Sequence, residues 1–98
     1  MEVGQEMKLK DRNNREYTTY KVYNSFAESL LTDSEWFFTF KGKKYVIYKK
    51  KMARTYFYFK YEDVWYTLHK SCLDNLKNKE IIEIRVKNKT YAIEGVEK

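Results

Sequence analysis

Apolar and polar residues alternate with a period of two through much of the chain, the spacing of half-buried β-strands. Trp36, Phe38 and Phe40 share one face, Lys41-Gly42 follows, and Tyr45 to Tyr48 is a second β-rich run. Glycine supplies the positive φ of a tight turn, so 36–48 is predicted to be a hairpin. In the next run Phe57, Phe59 and Tyr61 face one way, and Tyr56, Tyr58 and Lys60 the other. Glu62-Asp63 reads as a turn into the alternating run Val64 to Leu68, which predicts a second hairpin over 55–68. Ile82, Ile84 and Val86 alternate with Glu83 and Arg85. Tyr91 and Ile93 answer them across Lys87-Asn88-Lys89, a third hairpin over 81–93. Nearer the start, Met7-Lys8-Leu9 and Tyr17 to Tyr23 flank the polar turn Asp11-Arg12-Asn13-Asn14 with weaker alternation.

Two stretches carry helix signals. Ser25 followed by Glu28 has the form of a capping box, and Phe26, Leu30 and neighbouring Ala27 and Leu31 supply an apolar face, so a short helix is predicted over 26–31. Ser71 with Asp74 has the same capping logic, and Leu73 and Leu76 then predict a helix over 72–78. Trp65, Leu68, Cys72 and Leu76 also fit one longer helix from Asp63 to Asn78. The β-propensity of Val64-Trp65-Tyr66-Thr67 favours strand followed by short helix. An internal echo lays Phe38–Ile47 on Ile84–Ile93, each with lysines flanking a Gly or Asn turn and a tyrosine and isoleucine beyond. Any two lysine-tipped hairpins share that pattern. The expected fold is α+β: one small domain over 1–98, with a mostly antiparallel twisted sheet, two short helices and a loose terminus at 1–5.

Composition narrows the class. The 98 residues contain no proline and no linker-like tract, which argues against a second domain. Aromatic residues make up 18% of the chain, enough large apolar surface to close a core in a short domain. A single cysteine, Cys72, excludes an internal disulfide framework. No apolar run approaches the roughly 20 residues of a membrane-spanning helix. The first residues lack the basic start and apolar stretch of a signal peptide, so a cytoplasmic setting is expected.

Charge changes the picture most. The net charge is +6, but residues 35–61 alone carry eight Lys/Arg against Glu35, a local net of +7. Eleven of the eighteen aromatics fall in the same stretch. Lys41, Lys43 and Lys44 occupy one expected hairpin tip, and Lys49, Lys50, Lys51 and Arg54 the next connection. Successive connections of a meander lie at opposite ends of a sheet, so these clusters need not touch. Lysines neutralise phosphates and release counterions, and exposed tyrosines stack on unpaired bases. Tyr56, Tyr58 and Lys60 form a row suited to that work. The expected function is sequence-tolerant, non-enzymatic nucleic-acid binding through Lys41, Lys43, Lys44, Lys49, Lys50, Lys51, Arg54, Tyr56, Tyr58 and Lys60.

Blander readings compete. Lysine tips protect sheet edges from aggregation, and the aromatics would serve as core. A basic aromatic face also suits an acidic protein surface, which makes a protein-binding inhibitor or adaptor, of the sort viruses direct against host nucleic-acid enzymes, the alternative. An unpaired edge strand offers a route to a homodimer. Catalysis has little to stand on: His69 is the only histidine, Cys72 lies three residues on, and the pair needs hydrogen-bond reach that a strand–helix junction does not guarantee. No metal set, no Gly-rich phosphate loop and no cofactor motif is present, so neither metal nor cofactor is expected.

Overall fold

A computed structural model describes residues 6–22, 28–51 and 54–87. Seven strands close into a barrel: β1 (Glu6–Asp11), β2 (Glu16–Lys21), β3 (Leu31–Phe40), β4 (Lys43–Lys50), β5 (Tyr56–Tyr61), β6 (Val64–His69) and β7 (Lys79–Lys87). Around the wall the order is β1-β2-β6-β5-β4-β3-β7, with β7 returning to β1. One helix, α1 (Lys70–Leu76), follows β6. Among the described residues, no helix is long and apolar enough to cross a membrane.

The period-two pattern is realised as inside and outside of the wall. Phe38, Ile47, Phe57, Phe59, Tyr66 and Leu68 point inward with Met7, Leu9, Tyr17 and Ile81. Phe38 meets Phe59 edge-on at 5.1 Å between centroids, and Phe59 stacks on Tyr66 at 5.7 Å. Such pairs add about 0.5–1.5 kcal/mol each beyond their burial. Leu73 and Leu76, fully buried, insert from α1 into the end of the barrel where β6 finishes.

Three expectations change. The sheet is mixed rather than uniformly antiparallel, because β3 and β7 run parallel over Phe38–Phe40 and Lys79–Ile81. A closed ring of seven strands cannot alternate direction throughout, so one parallel neighbour pair is unavoidable. Here it falls between β3 and β7, because β2 and β3 run in the same direction while every other consecutive pair reverses. The helix expected over 26–31 is replaced in the described residues by a 3-10 turn, Glu28–Leu30, after which Leu31 already belongs to β3. Leu30 is 61% exposed, so this turn buries no apolar face that would sustain a helix. Pairing Leu31, Thr32 and Asp33 with Lys50, Lys49 and Tyr48 wins instead.

The helix expected over 72–78 begins earlier, at Lys70. The imidazole of His69, rather than Ser71, caps it: Nδ1 accepts the Ser71 amide at 3.1 Å. Strand followed by short helix is thereby the arrangement over 64–76. The turns at Lys41-Gly42 and Glu62-Asp63 are present, both of them with two successive positive φ values. Of the hairpin at 81–93, the first arm is β7. The return arm, and with it the second half of the echo, lies outside the described residues.

Candidate functional site

The barrel wall has two chemically different outer faces. On the β1–β2–β7 side, charges are interleaved. Lys8 pairs with Glu16 at 3.6 Å, Arg85 bridges Glu16 and Glu83, and Arg12 pairs with Glu80. Partial burial works to raise the Glu16 carboxyl, but the charges of Arg85 and Lys8 outweigh it and hold the group below its ordinary value. This face is close to neutral by construction.

On the β3–β4–β5–β6 side the outward row is aromatic. Register places Tyr20, Thr67, Tyr58, Tyr48 and Asp33 side by side across β2, β6, β5, β4 and β3. Trp65 joins them, its ring 5.4 Å from that of Tyr48. Lysines lie over this surface: Lys44 on Phe37 at 5.1 Å, Lys50 on Tyr58 at 5.3 Å and Lys60 on Trp65 at 5.8 Å. At the β3–β4 turn Lys41 and Lys43 lie over Phe40 and Tyr45, two rings that pack against the core at that end of the barrel. Among the described residues Lys41, Lys43 and Lys44 pair with no carboxylate. Lys60 stands near two, Glu28 at 3.9 Å and Asp63 at 4.0 Å.

The structure places the two lysine clusters at opposite ends of the barrel, as successive connections of a meander do. Lys41, Lys43 and Lys44 sit at the end opposite α1. Lys49, Lys50, Lys51 and Arg54 sit beside α1, whose first amide, that of Lys70, bonds the Thr55 carbonyl. Lys44 and Lys50, six residues apart on one strand, are separated by about 20 Å. Lys60, outward on β5, lies on the face between them. Tyr56 offers a ring, at 47% exposure and edge-on to His69. Tyr58 does not: it is 8% exposed and its face carries the Lys50 ammonium. The reason is position, since Tyr58 is flanked on both sides by outward neighbours, Tyr48 and Thr67, whereas Tyr56 stands at the strand's start. Tyr48 and Trp65 were missed as members of this face. Their signal was phase, because both fall out of step with the inward residues Tyr45, Ile47, Val64 and Tyr66.

Two seams of the wall are thinly paired, β2–β6 and β4–β5. β4 and β5 pair only at Tyr48↔Tyr58 and Lys49↔Phe57, and diverge toward the β3–β4 turn. The gap forms an open groove of about 180 Å³ lined by Lys43, Lys44, Tyr45, Val46, Tyr48 and Lys60. Beneath it Tyr45 and Tyr61 pack at 5.8 Å, and burial, with Glu62 and Tyr45 adding to it, pushes the Tyr61 phenol up.

The remaining chemistry-bearing side chains make structural contacts. His69 Nδ1 faces Ser71 and serves the helix cap, while Cys72 packs against the core. Among the described residues no group of three His, Cys, Asp or Glu side chains converges as a metal site. Fold and surface together define a small closed barrel with one ion-paired face and one lysine-on-aromatic face. Compared with known protein families, curated proteins and solved structures, the chain matches none.

Proposed function

We propose that the chain is a non-enzymatic nucleic-acid-binding protein that holds phosphates on its β3–β4–β5–β6 face with little regard for sequence. The observation that carries this reading is the contrast between the two faces. Lys8, Arg12 and Arg85 on the β1–β2–β7 side are matched by carboxylates, whereas Lys41, Lys43 and Lys44 lean on rings and keep their charge available. A cation on an aromatic face is held in place yet stays accessible to an anion. Lys44, Lys60 and Lys50 mark a path across the face. Lys49, Lys51 and Arg54 extend it at the α1 end, with Lys41 and Lys43 at the other. Lysine, a point charge on a flexible stem, favours phosphate over base-edge recognition. Tyr56 remains as the stacking ring, and Tyr58 supports Lys50 from beneath.

The test is fluorescence anisotropy with labelled single-stranded oligonucleotides at 50 and 200 mM salt. Four phosphate contacts give a slope of about −3 in log K against log salt, so affinity is expected to fall about 50-fold across that interval. Lys44→Glu with Lys50→Glu is expected to abolish binding while leaving the thermal transition in place. Absence of binding at 50 mM salt, or binding unaffected by the double reversal, overturns the reading. A salt-insensitive complex with one defined protein would favour the inhibitor alternative.

A further inference from the structure

We infer that the groove between β4 and β5 is a seat for a phosphate monoester, the doubly charged group at the end of a nucleic acid or on a small metabolite. In an ordinary paired strand, consecutive residues face opposite sides of the sheet. Here Lys43, Lys44, Tyr45 and Val46, four in a row, line one groove, so the opening lies at the strand's own edge where β5 has pulled away. Lys60 closes it from β5. Three lysine side chains therefore line about 180 Å³. That space is smaller than the roughly 300–1,000 Å³ of a pocket for a whole small molecule, and suits a single charged group.

The charge balance selects the ligand. Glu28 and Asp63 stand at the long limit of ion pairing from Lys60 and offset part of the positive charge; Lys43 and Lys44 have no such partner among the described residues. A phosphodiester carries one negative charge, whereas a monoester carries about −1.5 to −2 at neutral pH and three acceptor oxygens. The ammonium groups rest on rings around the groove, Lys43 on Tyr45, Lys44 on Phe37 and Lys60 on Trp65, and their flexible stems let them swing from there to the anion. The groove stands on this geometry. That its occupant is a nucleic-acid end rests on the function proposed above.

The experiment is a 15N-resolved NMR titration of the full chain with inorganic phosphate, followed by anisotropy with oligonucleotides bearing a 5′-phosphate or a 5′-hydroxyl. Saturable shifts at the amides of Lys44, Val46, Tyr48 and Lys60 are expected. Lys43→Ala with Lys60→Met is expected to remove them, and Lys10→Ala, on β1, to retain them. Methionine keeps an aliphatic stem on Trp65, and unchanged core amide shifts verify the fold. Shifts spread over all lysines, or surviving in the double variant, overturn the groove. In the second arm the 5′-phosphate is expected to tighten binding about tenfold, the sum of three exposed ion contacts, and the double variant to lose that gain. Equal affinity for both ends overturns the nucleic-acid terminus as the source and leaves a small phosphate as the occupant. If no oligonucleotide binds, the proposed function falls while the phosphate titration still decides the groove.

Discussion

Replacing Tyr17 with phenylalanine tests the most tightly built polar feature of the barrel. Asp11, 3% exposed, receives the Tyr17 hydroxyl at 2.6 Å and the amides of Asn13 at 2.9 Å and Arg15 at 3.1 Å. The Asn75 carbonyl of α1 lies 3.3 Å from the same hydroxyl, but one O–H donates once, and the shorter contact to a carboxylate prevails. Burial works to raise Asp11, yet hydrogen bonds from Tyr17, Arg15 and Asn13 and the Arg15 charge hold it below its ordinary value. Burial and the bond to Asp11 push Tyr17 up to about 12. A hydrogen bond to a buried charge contributes about 1.5–3 kcal/mol, so Tyr17→Phe is expected to cost about 2 kcal/mol at pH 7 in urea unfolding.

The pH dependence makes the test sharper. A folded pKa raised from 10 to about 12 means that Tyr17's contribution is whole below pH 10 and lost as pH rises through 12. At pH 11 the wild type has lost about 1.4 kcal/mol through this residue, and the variant has nothing there to lose. The gap between them should therefore narrow by that amount from pH 8 to 11. Asp11 has the opposite sign: its contribution is present above about pH 4 and lost as pH falls through its lowered folded value. A gap below 0.5 kcal/mol at pH 7, or one constant from pH 8 to 11, would refute the reasoning.

Other expectations concern single elements. Phe38→Ala removes a fully buried ring from the centre of the core and should cost about 3–5 kcal/mol, enough to lose the cooperative transition at 37 °C. His69→Ala should cost about 1 kcal/mol through the lost cap of α1 and His69→Asn far less, both read by urea unfolding. Glu62 and Asp63 have φ values of 49° and 64°, which side chains with a Cβ adopt at a cost. Glu62→Asn with Asp63→Gly should raise stability by about 1 kcal/mol, and a lowered melting temperature would count against the turn geometry.

The strands were legible because alternation is a local property, and each barrel strand with a full inward set announced it: Trp36, Phe38 and Phe40, then Phe57, Phe59 and Tyr61. Closure was not legible. It depends on β7 reaching both β1 and β3, contacts between residues more than 40 positions apart, and no periodicity encodes them. Asp11 illustrates the same boundary. In sequence it is a turn residue beside Asn13 and Asn14, and it does hold that turn through its carboxylate. Only the fold places Tyr17 and Asn75 over it and converts a turn residue into a buried junction of β1, β2 and α1.

The candidate face was legible as charge, and its two lysine clusters as lying at opposite ends of a sheet, but its outward row was not, for one physical reason. A run of residues in sequence states which groups are present, but a barrel deals alternate members to opposite sides and distributes them along the strand. Lys41, Lys43 and Lys44 therefore stand some 20 Å from Lys49, Lys50 and Lys51 although the two groups lie close in sequence. What joins them is Lys60, from a different strand and outside both runs. Its ammonium lies over Trp65 and its side chain lines the groove that begins at Lys43. The groove exists because β4 and β5 pair at only two positions, and Tyr45 and Tyr61 fill the space beneath it. Tyr45 on β4 and Tyr61 on β5 thus meet below the strand edge that carries Lys43 and Lys44, so the barrel's surface chemistry sits directly on its interior packing.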